Sequence, residues 1–182
     1  MKVLMFGWEF PPYKSGGLGT ACHGLTKGLA EQGVHVTFVM PHQADEVRAN
    51  FVRVIGTGSR KLKYRGIRST LTPYLSEEGY EHEQERRRHL IYHKAGLKDV
   101  YGKNLYEEVF RFTRAARDVA EEEEHDVIHA HDWMTYRAAM EARDVSGKPF
   151  IAHIHATEFD RTGGNPNPSI SHIEYEGLKA AN

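Results

Sequence analysis

The fold is decided by residues 2–40, which read KVLMFGWEFPPYKSGGLGTACHGLTKGLAEQGVHVTFVM. Residues 3–6 are a short apolar run typical of a buried strand, and the largely apolar residues 34–40 read as the next strand. Between them, apolar side chains recur at helical spacing over residues 18–30, and Gly33 follows at a position suited to end the helix. A strand, a helix and a second strand in direct succession predict a βαβ unit with parallel strands and a right-handed crossover.

A second unit of the same kind follows in the C-terminal part of the chain. Residues 127–130 and 150–154 read as strands, and residues 135–145 between them read as a helix. This alternation of strands and helices predicts an α/β fold with a Rossmann-like, doubly wound and mainly parallel sheet. Other predicted elements are strands at 51–55, 67–75 and 89–93, a charged loop at 76–88, a helix at 105–124 that begins with a capping box of Asn104 and Glu107, and a closing helix within 169–182.

The composition narrows the possible classes of protein. The chain has 182 residues and a formal net charge of −1, so no overall field favours nucleic acid or a membrane surface. Cys22 is the single cysteine, which excludes an internal disulfide and fits a reducing compartment. No apolar run has the length of a membrane span, and no signal-peptide pattern opens the chain. We therefore expect a cytoplasmic protein that binds neither nucleic acid nor membrane.

Lys14, Gly16 and Gly17 lie between the first strand and the first helix, at the carboxyl edge of the predicted sheet. Open α/β sheets bind ligands at this edge, where backbone N–H groups and the helix dipole favour an anion. The glycines would let an anion approach the amides, and Lys14 would add a positive charge. The alternative is an ordinary turn before a helix with a solvated lysine, which the glycines alone do not exclude.

Neither of two familiar nucleotide-binding loops fits this segment. A dinucleotide fingerprint that starts at Gly17 requires glycine or alanine at the position of Cys22. A P-loop that starts at Gly19 requires lysine followed by serine or threonine, where the chain has Leu25 and Thr26. The segment therefore predicts a phosphate-binding loop without either signature.

Two pairs of histidines stand at the ends of the last two predicted strands. His129, His131 and Asp132 close one strand, and His153 and His155 close the next. Because side chains alternate along a strand, the two members of each pair face the same side. We expect His129 and His153 to pack within the sheet, while His131, Asp132 and His155 emerge at its edge.

The same residues permit a second interpretation, a metal-dependent hydrolase. His129, His131 and Asp132, together with His153 and His155, would supply enough ligands for a zinc or two-metal site. Against this, Asp132 follows His131 directly, which is not the His-x-His-x-Asp-His spacing of a familiar hydrolase class, and the glycine segment would have no role. We therefore predict no bound metal.

Three segments together carry a resemblance to a known family. They are KSGGL at 14–18, which follows GWEFPP at 7–12, then DVIHAHDW at 126–133, and HIHATEF at 153–159. In this order, and each at the carboxyl end of a predicted strand, they resemble the N-terminal domain of glycogen and starch synthases and related group 1 glycosyltransferases. The resemblance implies the GT-B architecture, in which two Rossmann-like domains face each other across a cleft.

The resemblance also implies an activity and roles for site residues. Such enzymes transfer glucose from a nucleotide diphosphate sugar, ADP-glucose or UDP-glucose, to a glycan acceptor, with retention of configuration and with no cofactor or bound metal. By resemblance, Lys14 and the Gly16–Gly17 amides contact the donor diphosphate. Asp132 holds a sugar hydroxyl and His155 contacts the transferred glucose, which makes them the catalytic candidates. His131 is placed with the donor-binding residues.

The resemblance gives this chain one half of such an enzyme. Residues 1–182 correspond to the N-terminal, acceptor-side domain, and the C-terminal domain with most of the nucleotide-binding surface is absent from this sequence. We expect this chain to be inactive alone and to have three partners: the donor, the glycan and the C-terminal domain. Residues 155–164, HATEFDRTGG, differ from those of typical bacterial glycogen synthases, so other group 1 transferases stay open.

Overall fold

A parallel sheet of five strands organises the described part of the chain. In this computed structural model the described residues are 1–12, 17–41, 49–57 and 105–182. The strands are β1 (Lys2–Phe6), β2 (His35–Met40), β3 (Arg53–Gly56), β4 (Val127–His131) and β5 (Phe150–His153), and the helices are α1 (Gly17–Glu31), α2 (Leu105–Glu122), α3 (Trp133–Ser146), α4 (Glu158–Arg161) and α5 (Pro168–Ala180). Among the described residues, no helix has the length and apolar character that crossing a bilayer requires.

The order of the strands, β3-β2-β1-β4-β5, shows where the sheet changes direction. The chain steps from β1 to β2 one way across the sheet and from β4 to β5 the other way, and every pairing is parallel. Right-handed crossovers then place α1 and α3 on opposite faces, so the sheet is doubly wound as predicted. The change of direction falls between β1 and β4, and ligands of open α/β sheets bind at the carboxyl ends beside such a point.

Aromatic side chains fill the core around β1. Phe6, Trp8, Phe38 and Phe112 are almost completely buried. The rings of Trp8 and Phe112 meet edge to face, with centroids 5.4 Å apart, which ties the segment after β1 to α2. Most of the strand residues are apolar because helices cover both faces of a doubly wound sheet.

Gly7, directly after β1, lies against the ring of Phe38. A Cβ atom at residue 7 would lie 2.2 Å from Cζ of Phe38. We expect Gly7→Ala to lower the free energy of unfolding by about 1–3 kcal/mol, because the buried ring would have to leave its position. Chemical denaturation of the purified variant measures this. The control is Gly24→Ala on α1, where a Cβ meets no described atom within 4 Å; an equal loss in both variants would contradict the packing argument.

Most predicted boundaries lie within two residues of the observed ones. The helix predicted at 105–124 ends at Glu122, and the strand predicted at 51–55 occupies Arg53–Gly56. Gly33 has a φ of 75°, as expected after a helix. The sequence did not predict α4, whose first turn is closed by a capping box between Thr157 and Asp160. The predicted strands at 67–75 and 89–93, the loop at 76–88 and the Asn104–Glu107 capping box lie outside the described residues.

Candidate active site

Asp132 joins β4 to α3 at the carboxyl edge of the sheet. Its Oδ1 accepts a hydrogen bond of 2.7 Å from the backbone N–H of His155, and its own N–H donates to the carbonyl of His153 at 2.9 Å. Its side chain is buried. These two bonds connect the end of β4 to the segment after β5, so the two catalytic candidates, Asp132 and His155, lie in contact.

The backbone of Asp132 is strained. Its φ of 59° and ψ of 171° fall in a region that is nearly restricted to glycine, and among the described residues it is the one non-glycine with positive φ. Such a conformation costs about 1–3 kcal/mol and persists where the surroundings impose it, most often at functional sites. Burial also raises the pKa of the Asp132 carboxyl, while the N–H of His155 opposes that rise. A strained, buried carboxylate at the carboxyl edge of the sheet is a candidate for function.

His129, His131, His153 and His155 form one stack of imidazole rings, which we name the histidine cluster. The ring centroids of His153 and His155 are 4.4 Å apart, and those of His129 and His131 are 4.5 Å apart. Across the strands, Nδ1 of His131 and Nε2 of His155 lie 2.9 Å apart, and Nε2 of His129 and Nδ1 of His153 lie 3.2 Å apart. The cluster forms because β4 and β5 pair in parallel with His131 opposite His153.

The expected division between buried and emerging members of the cluster is wrong. His131 is fully buried and Asp132 is 3% exposed, whereas His129 and His153 are only half-buried, like His155. The physical reason lies in the sheet. β5 is an edge strand of the described sheet, so its rings are open on one side, while His131 lies beneath the rings of its three neighbours.

Two members of the cluster, His129 and His131, are uncharged near neutral pH. Burial, aided by the neighbouring histidines, lowers the pKa of His129 to about 4 and that of His131 to about 2. Burial lowers the pKa of His155 as well, although the charge of Asp132 opposes it. His129 and His131 therefore offer neutral ring nitrogens that can form hydrogen bonds or bind a metal ion, and they supply no positive charge for a phosphate.

A buried ion-pair network fixes the segment that carries His155. The guanidinium of Arg161 donates to the carbonyl of Ala156 and lies 2.8 Å from Oε1 of Glu174 and 3.1 Å from Oε2 of Glu158. The hydroxyl of Tyr136 donates to the carbonyl of His153 at 3.1 Å. Sequence reasoning missed Arg161, Glu174 and Tyr136 as parts of the site; only the i, i+3 spacing of Glu158 and Arg161 could have indicated one of these contacts.

The start of α1 lies beside the same edge. Burial raises the pKa of Cys22, in the second turn of α1, to about 12, and the charges of Asp132 and Glu9 add to that rise. A Cβ atom on Gly17, the first residue of α1, would meet no described atom within 4 Å, so described packing does not require glycine there. Lys14 and Gly16 lie outside the described residues, and their predicted contact with a diphosphate stays a prediction.

Three members of the cluster also have the arrangement of metal ligands. The ligands would be one ring nitrogen each from His129, His131 and His153. These three nitrogens all lie within 4.8 Å of one another. Neutral imidazole is a good ligand for zinc and related ions. The hydrolase alternative drew its ligands from both histidine pairs and Asp132, and the structure brings together ring nitrogens of three of these residues. Which three converge depends on the register of the two strands, which the sequence does not give.

A family model matches nearly the whole chain. This model, described as the starch synthase catalytic domain, matches residues 2–180. An uncharacterized glycosyltransferase of Methanocaldococcus jannaschii is 26% identical over 96% of this chain and 37% of its own length. A glycogen synthase of Mycobacterium tuberculosis is 26% identical over 94% of this chain and 37% of its own length. The chain therefore spans little more than a third of the curated relatives it matches.

The fold is also found in a solved structure. The sucrose-phosphate synthase of Thermosynechococcus elongatus aligns with 99% of this chain and 40% of its own chain, with a TM-score of 0.63 and 12% sequence identity. At this identity the likeness concerns the fold alone. It agrees with the architecture of parallel strands and alternating helices described above.

Proposed function

Since this chain belongs to the starch synthase catalytic domain family, we propose that it is the N-terminal, acceptor-side domain of a retaining glycosyltransferase with GT-B architecture. The enzyme transfers glucose from a nucleotide diphosphate sugar, ADP-glucose or UDP-glucose, to a glycan acceptor. The family match favours this transfer over the hydrolase alternative. A cytoplasmic location is part of the proposal, supported by the single cysteine.

The proposal includes a second, C-terminal domain as the main partner of this one. The second domain is proposed because this chain aligns with only 37% of the length of the two relatives named above. The edge that carries Asp132 and His155 is one wall of the cleft, and the second domain is the other. The donor lies between the two walls, and closure of the cleft removes water from the reacting atoms.

The observation that carries the proposal is the contact between Asp132 and His155. The Asp132 carboxylate holds the backbone of His155 at 2.7 Å, which fixes the ring of His155 at the open edge of the sheet. Residue 155 then contacts the transferred glucose, and Asp132 accepts a hydrogen bond from a sugar hydroxyl. A neutral imidazole suits the first role, because a cation there would oppose the positive charge that develops on the sugar.

The donor diphosphate is held at the start of α1. The N-terminus of a helix presents backbone N–H groups and the positive end of the helix dipole to an anion. Gly16 and Gly17 let the phosphates approach these amides, and Lys14 supplies a charge. His131, fully buried, acts on the donor through its 2.9 Å contact with His155. Transfer needs no cofactor and no metal in this proposal.

We expect Lys14→Ala, in a protein that carries both domains, to raise KM for the nucleotide sugar about 10–100-fold. A charge-assisted hydrogen bond to phosphate contributes about 1.5–3 kcal/mol, which corresponds to that range. Steady-state kinetics with varied donor measures it. The matched control is Lys27→Ala, which removes the same charge from an exposed position on α1. If the two variants had the same donor KM, Lys14 would have no contact with the diphosphate.

A transfer assay tests the proposed function itself. The protein with both domains is incubated with ADP-glucose or UDP-glucose and glycogen, and both nucleotide diphosphate release and extension of the glycan are measured. We expect the two to rise together. Release of glucose without extension of the glycan, dependent on an added metal, would support the hydrolase alternative and contradict the proposal.

A further inference from the structure

The strand register brings three imidazoles to one point on the same face of β4 and β5. His131 stands opposite His153 in the parallel pairing, and His129 lies two residues before His131 on the same face. One nitrogen of each ring lies within 4.8 Å of the others. This is the number of protein ligands that zinc takes when its fourth position is left to water.

One nitrogen of His131 lacks a partner. Nε2 of this fully buried side chain has no hydrogen bond among the described residues, while its Nδ1 lies 2.9 Å from Nε2 of His155. A buried polar nitrogen without a partner destabilises the folded state and is rare in folded proteins. A ligand that accepts the lone pair of Nε2 would remove this cost.

The spacing of the other two rings fits a shared ligand. Nε2 of His129 and Nδ1 of His153 lie 3.2 Å apart. Two nitrogens bound to one tetrahedral zinc at about 2.0–2.1 Å lie about 3.3 Å from each other. The distance between these two nitrogens is that of a hydrogen bond, and it is also the distance expected between two ligands of one ion.

We propose that His129, His131 and His153 bind a divalent transition-metal ion of the zinc class, and that His155 orients His131 for this purpose. His131 binds through Nε2, so its proton lies on Nδ1 and is donated to Nε2 of His155. Metal-bound histidines commonly donate their second N–H to such a partner, which fixes the ring and its tautomer. Water takes the fourth position of the ion.

The site can be reached from solvent. His129 and His153 are half-buried, and Ile151, the preceding residue on the same face of β5, is 48% exposed. An ion therefore meets the two outer rings first and His131 last. The transfer reaction does not require this ion, so the site is additional to the proposed catalytic residues.

Binding of the ion has a consequence that rests on the proposed function. His155 contacts both the transferred glucose and His131 in that proposal. An ion with two positive charges beside these rings raises the energy of a transition state in which the sugar becomes positively charged. We therefore expect zinc to inhibit glucose transfer by lowering kcat.

Calorimetric titration with ZnCl2 tests the site on the 182-residue chain itself, after removal of metal by a chelator. We expect one strong site per chain. His129→Gln and His153→Gln should each weaken it at least about 100-fold, since each removes a ligand, and His155→Gln should weaken it by about 10–100-fold. These three side chains are half-buried, and circular dichroism shows whether each variant is folded. Co2+ in place of zinc should give the visible absorption of a tetrahedral site.

The matched control is His172→Gln. His172 lies on α5 with a side chain 64% exposed and pairs with Glu176, so it represents unspecific binding of zinc to a surface histidine. We expect this variant to bind zinc like the wild type. No stoichiometric binding to the wild type, or unchanged binding in folded His129→Gln and His153→Gln, would overturn the site.

The effect on transfer is measured separately, with the protein that carries both domains. Zinc should inhibit the wild type and His172→Gln, and His129→Gln should resist it. Zinc bound by the cluster without any inhibition would overturn the link to His155 and leave the site in place. If no sample transferred glucose even when no zinc was added, the proposed function would be contradicted. The calorimetric titration would still test the metal site, because it does not depend on transfer.

Discussion

We expect the 182-residue chain alone to transfer no glucose above the rate measured without protein. Catalysis requires groups around the leaving diphosphate and the developing charge on the sugar, and binding energy from the whole donor places them. In the proposed enzyme this chain supplies only one wall of that site. We expect the chain alone to bind a diphosphate only weakly, through the N-terminus of α1 and one lysine. The dissociation constant would be about 1 mM, which corresponds to a binding free energy of about 4 kcal/mol.

The measurement compares this chain with a longer protein that carries both domains, at equal concentration and with each of the two donors. Adding a separately produced second domain to the chain provides a further control. Recovery of some transfer in that mixture would support the division of the site between two walls. Rapid transfer by the chain alone would show that the reacting groups lie entirely within it.

The second large effect is expected from His155→Ala in the protein with both domains. We expect kcat to fall about 100–1000-fold, the usual loss when one positioned hydrogen-bond partner of a transition state is removed. The donor KM should change much less, because the contact strengthens as charge develops on the sugar. The backbone N–H of residue 155 still donates to Asp132 after this substitution, so the geometry of the edge is retained.

His155→Gln and His172→Ala are the controls for this variant. Glutamine can place a neutral amide near the position of the imidazole nitrogen, so we expect it to recover part of kcat. His172 is an exposed histidine on α5, and its loss should leave kcat unchanged. The free energy of unfolding is measured alongside, because His155→Ala also removes the partner of Nδ1 of His131. Full activity in His155→Ala would place the chemistry elsewhere.

Much of the fold was predictable because it depends on local patterns. The apolar run at 3–6 and the largely apolar segment at 34–40 have the length and the β-branched and aromatic residues of strands, and the helix between them favours a parallel pairing. The position of Asp132 and His155 at the carboxyl edge followed from the same pattern, since parallel strands end at one edge. The short helix α4 was missed because it has only four residues, too few to show a helical period.

Details of the site depended on contacts that a single sequence does not contain. Glu174 contacts Arg161, which lies thirteen residues earlier in the chain. Tyr136 on α3 donates a hydrogen bond to the carbonyl of His153 at the end of β5. No spacing rule connects these positions. The strain at Asp132 is likewise imposed from outside, by bonds to the last residue of β5 and to His155 beyond it, so the residue type gave no sign of it.

The five described strands, the four longer helices and the edge at which the motifs meet follow from the spacing of apolar residues along the chain, so they can be inferred from the sequence alone. Which histidine is buried, and which histidine nitrogens lie close together, is instead set by tertiary packing. That outcome depends on the register between β4 and β5, which sets His131 opposite His153. Register is a relation between two strands and shifts every side chain when it slips by one residue, so neither strand's own sequence fixes it.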